Sequence, residues 1–363
     1  MRILHLEASP GWGGQEIRIL REAQGMRSRG HEVVLGVMKG GGLIPQARKE
    51  GFTVYEINFH KLSWIFSLFR ILWILFRHRI ELVNTHSSLD AWIGGIAGRI
   101  ACCSIVRTRH LSTPIKPGWN SRFLYGSLAD FVVTTCSAII PMICAQSGKK
   151  IEECRSIATG VDGRKIVFDR TKMEEFRKKM GIAQTDFLVG TACFMRSWKG
   201  LQDLLKAADQ LRNRKDLKWV IIGGGHAETY KNLCREMGLD GIVLFTGHLE
   251  NPFPAIASLD LFALLSTAHE GVSQAILQAA YLGKCLVATP VGGLGEVCLD
   301  RVTGLQVPPF SPGEVVKAVL ELKENTLLRE QLGQRARQLV EDRFLLSHTL
   351  DQMEKVYQQV LRK

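Results

Sequence analysis

At 363 residues the chain exceeds one ordinary core and fits two domains, and 46% apolar against 23% charged residues excludes a disordered polymer. No run reaches the ~18–20 unbroken apolar residues of a bilayer span. The net charge is +12, and residues 1–165 hold 22 Lys+Arg against 12 Asp+Glu, so the excess sits in the first half and points to an anionic partner such as phospholipid or a phosphorylated glycolipid.

Residues 1–6 form a short apolar run that breaks at Ser9-Pro10-Gly11, the pattern of a first strand and its turn rather than of a signal peptide. The following loop, Gly11-Trp12-Gly13-Gly14-Gln15-Glu16, places Glu16 where a dinucleotide fingerprint needs its third glycine. The segment 31–38 ends at Met38-Lys39 with no acid to hold a ribose, so NAD is not expected. Strand-like runs at 2–7, 31–38, 53–57, 82–85, 105–109 and 131–136 alternate with amphipathic segments such as 15–28 and 90–101. That alternation predicts a parallel sheet covered on both faces.

Two features in this half stand apart. Residues 61–79 are densely aromatic and carry Arg70, Arg77 and Arg79. That composition suits a helix lying in a headgroup region, or a crossover helix buried on all sides. The runs 82–85 and 105–109 lead into His86 and into Arg109-His110, where an open α/β sheet carries its ligands.

After a polar stretch near 160–170 the pattern restarts, with strand-like runs at 187–192, 219–222, 243–246, 259–265, 285–289 and 304–307. The first is followed by Phe194-Met195-Arg196-Ser197-Trp198-Lys199-Gly200, two cations in a loop after a strand, suited to neutralising a leaving pyrophosphate. The second ends in Gly223-Gly224-Gly225-His226, where glycines allow close backbone approach. Thr246-Gly247-His248 follows the third. The fourth leads into Ser266-Thr267-Ala268-His269-Glu270-Gly271-Val272-Ser273, where Ser273 can start a helix that Gly283 stops; a further strand then reaches Gly292-Gly293. Such a helix N-terminus can receive a phosphate. Residues 344–363 read as a terminal helix. Nine scattered cysteines, without a CxxC pair, fit free thiols in a reducing compartment and no zinc cluster.

The stretch from Glu270 to Gly293 resembles the signature of the group 1 (family 4) retaining glycosyltransferases: Glu, seven residues, Glu, then Ala, Gly, Pro-Val and a Gly-Gly loop. Here position 278 is Gln, and Lys284-Cys285 replaces the usual Lys-Pro. Arg196 and Lys199-Gly200 resemble the family's Arg…Lys-Gly motif, and Gly13-Gly14 its N-terminal Gly-Gly loop. The resemblance implies an α/β GT-B fold, two doubly wound Rossmann-like domains facing a central cleft. Residues 1–165 would bind the acceptor, 166–343 the donor, and helix 344–363 could pack back on the first domain.

It further implies catalytic roles for Glu270, His110, Arg196 and Lys199. Donor contacts would come from Gly13, Gly14, Arg196, Lys199, Gly223, Gly224, His269, Glu270, Gly271, Val272, Ser273 and Gln278, and acceptor contacts from His86, Arg109 and His110. No Asp-x-Asp motif occurs, so neither metal nor cofactor is expected. The expected partners are a nucleotide-sugar, UDP-sugar first and GDP-sugar next, a lipid-linked or lipopolysaccharide-type acceptor, and the inner face of a membrane approached from the cytoplasm. The absence of a basic–aromatic recognition module argues against nucleic acid. A nucleotide-sugar 2-epimerase of the same architecture and an inactive donor-binding protein are the competing readings.

Overall fold

The computed structural model describes residues 1–60 and 63–362. The chain divides into two compact units, Met1–Thr159 with Ser347–Lys363, and Gly160–Leu346. The first crossing thus lies between Thr159 and Gly160 rather than at 165/166, and residues 344–346 stay with the second unit. Val161 and Leu345 pair there: Val161 N donates to Phe344 O and Leu346 N donates to Val161 O, both at 2.8 Å.

The first unit is built on a seven-stranded parallel sheet. Its strands are β1 (Arg2–Glu7), β2 (Glu32–Met38), β3 (Thr53–Ile57), β4 (Leu82–Thr85), β5 (Ser104–Arg109), β6 (Phe131–Thr134) and β7 (Cys154–Ser156), in the order β3-β2-β1-β4-β5-β6-β7. Leu4 lies opposite Val34 on one side and Val83 on the other. The side chains of Leu4, Leu6, Val34, Ile57 and Val83 feed a core with Ile71, Ile74 and Ile93 from flanking helices. The sequence pattern placed a strand over 131–136, which ends at Thr134, and missed β7, whose Cys-Arg-Ser has no apolar run to signal it.

The second unit carries six parallel strands. These are β8 (Phe187–Ala192), β9 (Leu217–Ile222), β10 (Val243–Gly247), β11 (Leu261–Leu264), β12 (Cys285–Ala288) and β13 (Gly304–Gln306), in the order β10-β9-β8-β11-β12-β13. Trp219 is fully buried at its centre among Val189, Ile221, Leu204 and Leu205. In both sheets the strand order reverses once, between β1 and β4 and between β8 and β11. At such switch points the loops at the strands' carboxyl ends part and leave a crevice for a ligand.

The terminal helix, Leu346–Leu361, belongs to the first unit from Ser347 onward. Arg29 bonds Asp351 at 2.5 Å and Glu354 at 2.6 Å, His31 reaches Glu354 at 2.8 Å, and the Tyr357 hydroxyl accepts from Asn84 Nδ2 at 2.7 Å.

Candidate donor site and histidine cluster

In the second unit the switch point brings together the loops after β8 and β11. The loop after β8 closes with a turn of 3-10 helix, Ser197–Lys199, and Gly200 at φ +68°. A Cβ on Gly200 would sit 1.8 Å from the Leu265 carbonyl oxygen, so only glycine lets the two loops touch. Thr267 N donates to Trp198 O at 2.8 Å and fixes their register.

This contact carries Lys199 to Glu270, 71 positions away, with Nζ 2.5 Å from Oε1. Ser266, fully buried, donates its hydroxyl to the same oxygen at 2.7 Å. Ser266 was not singled out in the sequence, although a hydroxyl closing an apolar strand is a signal. Gly293 N donates to Glu270 O, and a Cβ on Gly293 would meet Val272 N at 2.5 Å, so the Gly292-Gly293 loop backs the Glu270 loop directly. Cys193, behind the pair, has its thiol pushed up to about 11 by burial, so it stays a neutral thiol at physiological pH.

His269 adopts φ +62°, a conformation uncommon for a side chain of its size, with its ring edge-on to Trp198 at 5.5 Å between centroids. The helix Gln274–Tyr281 begins after Ser273, whose side chain forms no cap, so the terminal N–H groups are not taken by it. Gln278 lies one turn in, ~6 Å along the axis from Gln274. The residue is half-buried.

Arg196 is exposed, its guanidinium 5.2 Å from the Phe194 ring centroid and 5.1 Å from that of Trp198. It has no carboxylate partner among the described residues, unlike Lys199. Gly223 and Gly224 brace this loop. A Cβ on Gly223 would fall 2.1 Å from Cys193 O, and Gly224 O accepts from Met195 N at 2.7 Å. The close backbone approach at Gly223 is therefore to the protein's own chain.

In the first unit Gly13 precedes the helix Gly14–Ser28, and its N–H donates to Glu16 at 2.8 Å. Gly14 faces open space. His86, at the end of β4, lies between His5 and His110. His5 Nδ1 is 2.9 Å from His86 Nε2, and His86 Nδ1 is 3.0 Å from His110 Nε2. Burial holds all three imidazoles below their ordinary value, His86 and His110 well below it. His5 was read only as part of a strand. Arg109 donates to the Tyr125 hydroxyl at 2.6 Å and to Thr113 Oγ1 at 2.8 Å, which pins the segment after β5.

Asp90, fully buried, accepts from Ser87 N at 2.8 Å and Ala8 N at 3.1 Å and lies 3.7 Å from Arg107. Glu7 accepts from Ser9 N at 2.6 Å, and from Gln15 and Ser87 side chains at 2.5 Å. Burial raises both carboxyls, and the charge of Glu7 adds to it at Asp90, which lies well above the usual range, while Glu16 adds to it at Glu7.

The family profile described as glycosyl transferases group 1 matches residues 172–339, and that of glycosyltransferase family 4 matches residues 12–164. A GDP-mannose-dependent alpha-(1-6)-phosphatidylinositol monomannoside mannosyltransferase of Mycobacterium tuberculosis is 31% identical over 67% of this chain and 68% of its own length. The chain belongs to the group 1, family 4 glycosyltransferases. An uncharacterized glycosyltransferase of Methanocaldococcus jannaschii is 26% identical over 64% of this glycosyltransferase, a match spanning 59% of that relative's length. Anabaena HepE, crystallised with UDP, superimposes with a TM-score of 0.88 at 22% identity, covering 99% of this chain and all of its own. That likeness establishes a shared GT-B architecture of two Rossmann-like sheets.

Proposed function

We propose that this glycosyltransferase moves a sugar from a nucleotide-sugar to a glycan or glycolipid, with retention of configuration and without a metal ion. The observation that carries the reading is the arrangement of charge at the β8/β11 switch point. Lys199 is held on Glu270, while Arg196 stands exposed on an aromatic pair, and Ser273 leaves the N-terminus of the helix after the Glu270 loop without a side-chain cap. A diphosphate between Arg196, Lys199 and the N–H groups would be neutralised as the glycosidic bond breaks. The leaving phosphate oxygen would take the acceptor's proton on the same face. Glu270, Gly271 and Val272 would contact the sugar and its phosphate, His269 the sugar, and Gln278 the ribose through its amide oxygen. Gly13, Gly14, Gly223 and Gly224 complete the donor assignment. His110 belongs to acceptor recognition and also touches the reacting sugar, while His86 and Arg109 serve that recognition by holding His110 and the segment after β5.

UDP-sugars are the first choice of donor and GDP-sugars the second. HepE was crystallised with UDP-glucose, and the mycobacterial relative is named for GDP-mannose. The test is a thermal-shift series with UDP-, GDP- and ADP-sugars, followed by transfer to glycolipid extracts. One nucleotide class should stabilise the wild type, and Arg196→Ala and Lys199→Ala should each lose 100-fold or more in turnover, on the order of a lost oxyanion donor. Wild-type turnover in both variants would refute the pyrophosphate assignment. Conversion of the donor without an acceptor would identify an epimerase, and binding without transfer an inactive binder.

A membrane-bound acceptor, in cell-envelope polysaccharide or lipopolysaccharide synthesis at the inner face, is supported by the helix Trp64–Arg77. Ser67, Ile71, Ile74 and Leu75 face the core, while Phe66 is 79% exposed and Phe69, Trp73 and Phe76 stand out beside Arg70 and Arg77. Lys61 and Leu62 lie outside the described residues. No helix of the described residues is long and apolar enough to cross a membrane. Flotation with anionic liposomes should fail after Trp64, Phe69 and Trp73 become Ser; unchanged binding would sink the membrane reading.

A further inference from the structure

The three histidines of the first unit form a chain with a definite direction. His86 is 2% exposed, and both of its ring nitrogens are engaged, by His5 on one side and His110 on the other. A neutral imidazole has one N–H and one lone pair, so His86 must donate at one end and accept at the other. The flanking rings are then forced into matching tautomers. Either every proton points toward His5, leaving His110 Nδ1 bare, or every proton points toward His110, which then carries N–H at Nδ1.

The far end of the chain decides between the two. His5 Nε2 is buried without a hydrogen-bond partner, and so is Glu22 Oε2 on the Gly14–Ser28 helix. The charge of Glu22 acts on the His5 ring. Glu22 is an acceptor: its other oxygen takes the hydroxyl of Tyr357 and, at 3.3 Å, Asn84 Nδ2, and Arg18 lies 3.9 Å away. A bare His5 Nε2 would leave two buried acceptors, its own lone pair and this carboxylate oxygen, without a proton between them in a medium of low dielectric. An N–H there, directly or through one water, suits it. The difference in satisfied groups corresponds to a bias of roughly tenfold or more.

We infer that Glu22, held by Tyr357 and Asn84, sets the sense of the His5–His86–His110 chain so that His110 presents an unprotonated Nδ1 to a substrate hydroxyl. His5, His86 and Glu22 are positioning residues. Among the described residues His110 Nδ1 has no hydrogen-bond partner, and it is not a fully buried atom, so it can meet a ligand. It would accept a bond from a sugar O–H and would not donate one to a phosphate. The consequence for catalysis rests on the reading of His110 as a substrate contact; the tautomer assignment does not.

The experiment uses the full chain labelled with 15N-histidine, with two-bond proton–nitrogen correlation spectra assigned through single His→Asn variants. In the wild type, His110 should show a protonated Nε2 and a bare Nδ1, and His86 the same. Glu22→Gln offers His5 an N–H in place of a carboxylate, and the opposite tautomer should rise at least tenfold in population; Glu22→Asp should keep the wild-type pattern. Nδ1-protonated His110 in the wild type, or unaltered tautomers in a folded Glu22→Gln protein, overturns the inference. If Glu22→Gln does not fold, the wild-type spectrum still decides. On the substrate reading, kcat falls about tenfold in Glu22→Gln at unchanged donor KM. A reversed tautomer with unchanged kcat would remove His110 from the chemistry and leave the directed chain standing.

Discussion

In the Gly160–Leu346 unit the polar groups stand at loop tips, and glycine backbone sets their places. Gly200 lies against Leu265, Gly223 against Cys193 and Gly293 against Val272, each at a distance no Cβ would tolerate. In the unit that contains Met1–Thr159 the polar groups lie beneath the surface and hold one another. Glu7, Asp90 and Arg107 are at most 3% exposed, and Arg18, Glu22 and Tyr357 at most 1%. One sheet therefore places its site by close backbone approach, which costs conformational freedom but no desolvation. The other places its site through side-chain networks, where every buried polar group left without a partner carries a desolvation cost. The two should fail in different ways when altered.

The sharpest way to break this contrast is Gly200→Ala. Its Cβ would be driven into a carbonyl oxygen at a positive φ, and about 4 kcal/mol or more of the second unit's stability should go. Denaturant unfolding followed by tryptophan fluorescence would measure it; a loss below ~1 kcal/mol would mean the loops are not set by backbone contact. Next comes Asp90→Ala, which strips three backbone donors of their acceptor and leaves Arg107 buried without its counter-charge. A loss of about 3–5 kcal/mol is expected. A near-neutral result would show the first unit's network to be dispensable.

The smallest effect has the opposite sign and sharpens the contrast from within the second unit. Burial lowers the Lys284 ammonium to about 8, and it donates to the Leu259 carbonyl at 2.8 Å. With the folded value below the unfolded one, the unfolded chain binds more protons between pH about 8 and 10, so stability climbs as pH rises through that window and is flat below it. Lys284→Met should abolish the climb and raise stability at pH 7 by roughly 2 kcal/mol. Thermal melts across pH 6 to 10 check it, and a wild-type profile that falls over the window would refute the assignment.

The same division explains what could be read from the sequence. Strands β1, β4 and β8 lie where apolar runs placed them, because a parallel strand buried on both faces leaves a continuous signature. The donor loops were legible too, since Arg196, Lys199, Glu270 and Gly293 sit in short motifs. The buried network was not. Tyr357 and Glu22 are 335 positions apart, and neither has a periodic or local signal that names the other. Arg109 and His86 stand at strand ends as the sequence places them, but the bonds that hold them, to Tyr125, Thr113 and two neighbouring histidines, have no local signal.

Because Tyr357 and the acids that meet Arg29 come from the helix Leu346–Leu361, the first unit is discontinuous along the chain. During synthesis its sheet emerges from the ribosome long before that helix does. Glu22 and Asn84 must wait, hydrated or screened, while the contiguous Gly160–Leu346 unit emerges whole and can close first. The second unit is thus complete along the chain before the first one is.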